Sequence, residues 1–413
     1  MDAASDPSLR HLRVFEMVSR LQGVRKAADA VHMSQPAVTQ AITKLESQVG
    51  ATLFERRSKG TYLSPEGEIF VARIRLMFAQ IEEALGAFGV ASTKVRSLAM
   101  VAERITRPQI RGLSAIADGR SFADAARKIG ISQASLHRAA RELERNLGKP
   151  LFHNTASGVI TTRGGAELAR RLSLAMREIE WGVEEIQAAA GVRGGQLRIG
   201  ALPLAGSFLL APVINEITRM FPDVQVQVRT GDGALLARSL QLGDIDFVVG
   251  MVRASVDPAE IEQEELVSSP YVVVARRGHP LTRKSRLSLS DLERYEWIAP
   301  MAGAARRAAF DELFNTMKRK PSANVETYTL STIRLLLEDS DRLALLSRFE
   351  FEYEKGAGVL TALPILPIQK EHAVGVSRRV KWTPTALHLT FLDLVRRHAA
   401  KIAAQNAPKR KAA

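Results

Sequence analysis

A multidomain α/β protein is predicted: two all-α winged helix-turn-helix units, each followed by a long linker helix, then a two-lobed α/β domain. Three observations predict it. First, one block occurs twice in fixed register. Ala27-Ala28 returns 98 positions downstream as Ala125-Ala126, Ser34-Gln35 as Ser132-Gln133, Leu45-Glu46 as Leu143-Glu144 and Leu53-Phe54 as Leu151-Phe152. Gly50, Gly60 and Gly67 return as Gly148, Gly158 and Gly165. A register held without a gap marks a duplicated folding unit. Second, a run of apolar residues at helical spacing follows each copy. Third, beyond Gly194-Gly195 short apolar runs alternate with helical ones, the pattern of βαβ units.

Each element of the first copy has a local cause. Leu9, Leu12, Phe15, Val18 and Leu21 predict a first helix burying one stripe, ended by Gly23. Val24 to Val31 forms a short second helix whose Ala27-Ala28 pair admits a close neighbour, and His32-Met33 turns the chain. Ser34 is placed to cap the third helix, with Pro36 in its first turn, where a missing N–H costs nothing. That helix runs to about Val49 and buries Val38, Ile42, Leu45 and Val49. Its other face carries Ser34, Gln35, Pro36, Ala37, Thr39, Gln40, Thr43 and Lys44, small or hydrogen-bonding groups suited to base edges and phosphates in a major groove. Leu53-Phe54 and Thr61-Tyr62-Leu63 predict a two-stranded wing. Arg56, Arg57 and Lys59 at its tip are placed for backbone phosphates or an adjacent minor groove. Taken singly, these features also fit a surface helix and a solvated turn; their order, repeated, is what points to double-stranded DNA.

The second copy keeps Ser132 as the cap but has Ala134 in place of Pro36. Its exposed face is Gln133, Ser135, His137, Arg138, Arg141 and Arg145, more basic than the first. Its wing has Asn154, Thr155 and Ser157 where the first has Arg56, Arg57 and Lys59, so charge has moved from wing to helix. Two readings stay open: a second DNA-reading head with a different base preference, or a copy kept for packing or dimer contacts.

Long helices follow. Pro65 to about Phe88 repeats Ile69, Ala72, Leu76, Ala79 and Leu85; Arg163 to Ala190 repeats Leu168, Leu172, Ala175, Ile179, Val183 and Ile186. Such helices are expected to pair antiparallel between subunits of a homodimer or homotetramer, spacing half-sites by about one DNA turn or multiples of it. Charge follows the same division. Leu9 to Leu63 holds nine Lys/Arg against four Asp/Glu, and so does Arg107 to Thr161. Gly191 to Val395 holds 25 against 24, and the tail from Arg396 holds six basic residues and no acidic one. The formal net charge of +14 therefore gathers on the two copies and the tail, where phosphates would be met.

The expected organisation is a winged unit at 1–64, linker helix and connector at 65–106, a second winged unit at 107–162, a linker helix at 163–192, an α/β domain at 193–400 and a basic tail at 401–413. In the α/β domain, Leu197–Gly200, Val224–Val228 and Ile245–Gly250 are strand-like, and Ser207–Phe221 and Gly233–Leu242 helix-like, implying a parallel sheet. A second lobe is expected over about 270–330, with Trp297-Ile298-Ala299-Pro300, a helix at Ala304–Met317 and a strand at Val325–Tyr328, the chain returning near Ser331.

Taken together, these motifs resemble the LysR-type transcriptional regulators. The resemblance rests on Ala27-Ala28, Ser34-Gln35-Pro36-Ala37-Val38-Thr39, Leu45-Glu46, Gly50, Leu53-Phe54, Arg56, Leu63-Ser64-Pro65 and Gly67. In the C-terminal half it rests on Leu197-Arg198-Ile199-Gly200, Phe221-Pro222, Gly243-Asp244-Ile245-Asp246 and Gly278-His279-Pro280-Leu281. It implies an effector domain like the type-2 periplasmic binding proteins, holding a small molecule between its lobes, and contact with RNA polymerase. The C-terminal half resembles the branch regulating a galactose-binding protein, which points to a sugar, with a carboxylate as the other class. Carried onto this chain, the effector site is Leu202, Pro203, Ser207, Thr230, Asp232, Pro300, Met301, Gly303, Ala304, Arg307, Ser331 and Thr332. Ser207 is equally read as a helix cap, and Arg306-Arg307 as a solvated face, Arg307 matching a position near the cleft. The family usually has a hydroxyl residue where Ala304 stands. The extra head is the departure from the family pattern.

Other classes fare worse. A solute-binding protein whose N-terminal helices only dimerise is opposed by the basic heads and by the polar, acidic start Met1–Pro7, which is no signal peptide. No run approaches the ~18–20 apolar residues of a membrane span. The chain has no cysteine, no Gly-x-Ser-x-Gly, no P-loop and no His-Glu-x-x-His, and its eight histidines lack metal-ligand spacing. A cytoplasmic, non-enzymatic regulator without cofactor or metal is expected.

Overall fold

The computed structural model describes residues 7–57, 60–90, 97–119, 121–155, 158–202, 207–252, 256–302, 305–315, 321–327, 329–365 and 371–406. They form two compact units that divide between Gly194 and Gly195.

The first unit opens with helices α1 (Leu9–Leu21), α2 (Val24–Ala30) and α3 (Gln35–Val49), a wing of β1 (Phe54–Arg57) and β2 (Gly60–Leu63), and the long α4 (Pro65–Ala87). After a short α5 (Leu98–Glu103), which the sequence pattern did not disclose, the plan repeats. It runs as α6 (Arg107–Asp118), α7 (Phe122–Ile129), α8 (Gln133–Leu147), β3 (Phe152–Thr155), β4 (Gly158–Thr161) and the long α9 (Arg163–Ala189). The local causes repeat too. Ser34 Oγ accepts from the Ala37 N–H, and Ser132 Oγ from that of Ser135. Both third helices stop at a left-handed glycine, Gly50 at φ 77° and Gly148 at φ 69°. Glu46 and Glu144 each reach forward to the wing: the Leu53 and Leu151 N–H groups donate to them at 2.8 Å. Gly67 and Gly165 sit where a Cβ would lie 2.1 and 2.5 Å from the Leu53 and Leu151 carbonyl oxygens, so only glycine lets the long helix start against the wing.

One apolar core runs through both copies and both long helices, from Leu9 to Ile186. The long helices pair with each other. Along α4, Phe70 lies against Gly182, Arg73 binds Glu178 and Glu185, and Phe88 lies against Gly164. Ascending one helix descends the other, so the pair is antiparallel. Antiparallel pairing was expected between subunits; here it is made inside one chain, because the connector brings α9 back along α4 and their buried stripes complement each other.

The second unit contains β5 (Gly194–Ala201), α10 (Ser207–Met220), β6 (Asp223–Thr230), α11 (Gly233–Leu242), β7 (Phe247–Met251) and the long β8 (Ile261–Arg276). It continues through α12 (Leu289–Glu293), β9 (Trp297–Ala299), α13 (Ala305–Leu313), β10 (Val325–Glu326), α14 (Leu330–Glu338), β11 (Leu343–Ser347) and α15 (Arg348–Lys355). Finally come β12 (Leu360–Ala362), β13 (Glu371–Arg379) and α16 (Ala386–Asn406). The strand order is β10-β9-β11-β8-β13-β7-β5-β6, with β12 beside β8. The sheet is mixed, not parallel throughout: β5 and β7, and β9 with β10 and β11, run parallel, but β13 is antiparallel to β7 and β8. The cause is topological. β8 carries the chain out of the first lobe and β13 carries it back, so the two must oppose. The return also lies later than Ser331. Ile333 and Leu337 of α14 bury against Val274 and Ile298, and β12 still pairs with β8, so the second lobe extends to at least Ala362.

Candidate DNA interface and effector site

On α3 the structure leaves Ser34, Gln35, Pro36, Gln40, Thr43 and Lys44 exposed and Ala37 and Thr39 half-buried. Gln35, Pro36, Thr39, Gln40, Thr43 and Lys44 line one open groove along the helix. The Thr39 hydroxyl donates back to the Gln35 carbonyl at 3.1 Å, so its proton is engaged within the helix. Nearby His11 is held below its ordinary pKa by burial, then by Lys44 and Arg10, which favours its neutral form. Arg57 is exposed on the wing, its guanidinium over the Tyr62 ring.

On α8, Gln133, Ser135, Arg138, Arg141 and Arg145 are exposed. His137 departs from the base-facing role expected of it. It is half-buried and stacked on Phe122, ring centroids 4.1 Å apart, because Phe122 is a large ring where the first copy has Val24. Arg141 is paired with Glu144 at 2.8 Å on the helix surface. Both third helices thus present a polar, basic face while their apolar faces enter one core, the arrangement a groove-reading helix requires.

In the second unit, the candidate effector residues lie at carboxyl ends of strands, where open α/β sheets bind ligands. Leu202 follows β5 and is half-buried, Thr230 ends β6 and is exposed, and exposed Ser331 and Thr332 open α14 just beyond β10. Exposed Met301 and buried Pro300 follow β9. Asp232 caps α11, its Oδ1 accepting from the Ala234 and Leu235 N–H groups. Arg307 donates to the Pro300 carbonyl and to Glu326, and pairs with Asp311, which fixes it beside the β9 end. Lys59, Pro203, Gly303 and Ala304, and the side chains of Arg56 and Ser207, lie outside the described residues.

Sequence reasoning missed a buried cluster beside these positions. Arg306 is 6% exposed, not a solvated helix face, and its guanidinium meets Glu350 at 2.5 Å. Glu350 also accepts from the Ser347 N–H at 2.7 Å. It sits on α15 between Phe349, which enters the first lobe's core, and Phe351, which enters the second's. No sequence signal marks the pair, since Arg306 and Glu350 are 44 residues apart.

The two winged units match the bacterial regulatory helix-turn-helix protein, lysR family, over residues 9–68 and 108–166, and residues 190–400 match the LysR substrate binding domain. This chain belongs to the LysR family of transcriptional regulators. It is 30% identical over 374 residues to the HTH-type transcriptional regulator GalR of Pseudomonas putida, covering 90% of this chain and 92% of that protein. It is 28% identical over 209 residues to GbpR of Rhizobium radiobacter, covering 50% of this chain and 69% of that one. A full-length OxyR from Pseudomonas aeruginosa shares the fold at 19% identity and a TM-score of 0.50, over 71% of this chain and 95% of its own. As a LysR-family member the protein is a DNA-binding transcriptional regulator with an effector-binding domain, and its relatives are regulators, not enzymes. Among the described residues no helix is long and apolar enough to cross a membrane.

Proposed function

We propose that a single chain lays both α3 and α8 into the major groove of one operator, the α3 head reading through Gln35, Gln40, Thr43 and Lys44 and the α8 head through Gln133, Ser135, Arg138, Arg141 and Arg145. The observation that carries this reading is the antiparallel α4–α9 pair, which joins two winged heads about a shared core while leaving both polar helix faces open. A degenerate second copy kept only for packing would have no reason to hold three exposed arginines on its third helix.

In this reading a sugar or a carboxylate occupies the carboxyl-end residues of the second unit. Its binding favours one lobe arrangement over another and thereby changes operator contacts and access of RNA polymerase, in a cytoplasmic dimer or tetramer. A ligand shifts such an equilibrium only by its differential affinity, typically ~1–3 kcal/mol. The test is a footprint on duplex DNA that the protein selects from a random-sequence pool, with and without candidate sugars and carboxylates. Two adjacent protected grooves per chain, changed by one ligand class, are expected. Protection of a single groove that survives Arg138→Ala/Arg141→Ala unchanged defeats the two-headed reading.

A further inference from the structure

The seam between α4 and α9 is not symmetric, although the copies that supply it are. Arg73 of α4 has its side chain 5% exposed. It is held by Glu178, 1% exposed, at 2.9 Å, and by Glu185, 28% exposed, its Nε donating at 2.9 Å. Its guanidinium also lies over the Trp181 ring. Burial opposes that charge, but the two carboxylates outweigh it and hold Arg73 above the ordinary arginine range. The repeat register shows what a second α4 would offer instead. Glu178, Trp181 and Glu185 stand where α4 has Gln80, Glu83 and Ala87. Two carboxylates and an aromatic face would become an amide, a methyl and one carboxylate on a position that is exposed here.

Shape makes the same distinction independently. Phe70, fully buried, packs against Gly182, where a Cβ would come within 2.9 Å of its ring. The α4 counterpart of Gly182 is Ala84, which carries that Cβ. A second α9 in place of α4 meets no charge conflict, since Arg171 stands in the position of Arg73, but it leaves both α4 stripes exposed to water.

We propose that Arg73 with Glu178 and Glu185, and Phe70 with Gly182, form a pairing code that makes α4 accept α9 and refuse a second α4. Every DNA-binding body this protein builds then carries one head of each kind, whether the paired helices come from one chain or are exchanged between two. Resting on the two-headed reading above, the consequence is an operator with two unlike half-sites: an inverted repeat of either half-site alone binds at least ~10-fold more weakly, each wrong base pair costing about that factor.

The pairing itself is read without DNA, so its failure is separable from that of the two-headed reading. The chain has no cysteine, and position 80 lies at the middle of the seam, facing its own counterpart 178. In a full-length Gln80→Cys protein, mild oxidation is expected to give no disulfide between chains, because α4 does not meet α4. Adding Arg73→Leu and Ala84→Gly removes both bars and strands Glu178, and the inter-chain disulfide is expected to become the main product. Should that variant fail to fold, Ala84→Gly with Ala87→Glu on the Gln80→Cys protein gives α4 the acceptor features of α9 and is expected to produce the inter-chain disulfide that Gln80→Cys alone lacks. An inter-chain disulfide in the parent, or none in the folded variants, overturns the proposal.

Discussion

Gln80 and Glu178 hold the same place in the two copies and hydrogen-bond to each other at 3.0 Å. Equivalent positions meet their own counterparts only at a two-fold axis, so a pseudo-dyad passes between α4 and α9 inside one chain. Contacts inside each copy correspond as well: Arg75 with Glu16 at 3.7 Å matches Ser173 with Ser114 at 2.6 Å. A homodimer loses this arrangement on dilution; a tethered pair does not. DNA binding is therefore expected to persist, with a Hill coefficient near one, at protein concentrations where sedimentation shows single chains. Binding that vanishes with dilution in step with chain–chain dissociation would count against it.

The same seam sets a packing prediction. Gly182 faces Phe70, and the symmetry-related positions are Ala84 and Leu168, which line one cavity on the other side. Gly182→Ala gains helix propensity of about 1 kcal/mol but forces a methyl against a fully buried ring, which typically costs ~1–3 kcal/mol. A net loss of roughly 1 kcal/mol in chemical denaturation is expected. Combining it with Phe70→Leu copies the other side of the dyad and should recover most of that loss. If the single variant is stabilised, the helices have slack that their packing does not show.

Much of this was legible because it is periodic or repeated. The third helices, their serine caps and glycine stops, and the wings follow from local chemistry stated twice in register. What escaped was decided by tertiary partners. Nothing around His137 announced that Phe122 would capture its ring, since the first copy has Thr39 and Val24 at those places. The intrachain pairing of the long helices rests on Arg73 meeting Glu178, residues 105 apart in sequence. The late return of the chain to the first lobe likewise depends on where Ile333 and Leu337 find apolar cover. The candidate effector positions rest on the family resemblance alone, while the neighbouring Arg306–Glu350 pair carried no spacing that a sequence pattern marks.

The heads should differ in how they lose DNA. Gln40→Ala and Thr43→Ala remove hydrogen-bonding groups from the first recognition helix and are expected to cost ~1–3 kcal/mol against the preferred half-site while relaxing its sequence preference. Arg138→Ala with Arg141→Ala removes cations from the second. That pair should weaken binding at all sequences and lower the slope of log affinity against log salt by about one unit for each phosphate no longer neutralised. Arg141 must first leave Glu144, so its individual effect should be the smaller. The parent should lose ~10³–10⁵-fold in affinity between 50 and 200 mM salt if it touches ~6–10 phosphates. Filter binding over a salt series decides each point.

Glu46 and Glu144 predict a coupled loss of stability and DNA affinity. Each carboxylate accepts from two N–H groups at the start of its wing, Leu53 and Phe54 in one copy and Leu151 and Phe152 in the other. Glu46→Ala leaves those donors without their acceptor, at a cost of about 1–3 kcal/mol. Because the wing is re-aimed and not removed, Glu46→Ala should reduce DNA affinity although the Glu46 carboxylate is engaged by the wing's own N–H groups, and Glu46→Gln should retain most of both. Equal losses for Ala and Gln would mean the negative charge, not the hydrogen bonding, is what matters.

Alkaline stability should report the cluster that joins the effector lobes. Tyr271 lies on β8 where its neighbours change from β13, at Pro270, to β11, paired with Ser347, and it is 4% exposed. Burial pushes its phenol up to about 12; nearby Arg306 pulls it down and Glu350 pushes it up. The unfolded chain releases that proton near the ordinary value of about 10. Between the two values the unfolded state binds fewer protons than the native one, so stability is intact below about pH 10 and falls as pH rises toward 12. The contribution is roughly 3 kcal/mol by the size of the shift. Tyr271→Phe should remove this portion of the alkaline loss, seen as a smaller drop in Tm between pH 9 and pH 11 than the parent shows. Arg306→Leu, by contrast, strands the buried Glu350 carboxylate and should cost ~3–5 kcal/mol at neutral pH. A Tyr271→Phe protein that loses stability in alkali as steeply as the parent would show that the phenol is open to water, and that α15 does not seal the junction between the lobes.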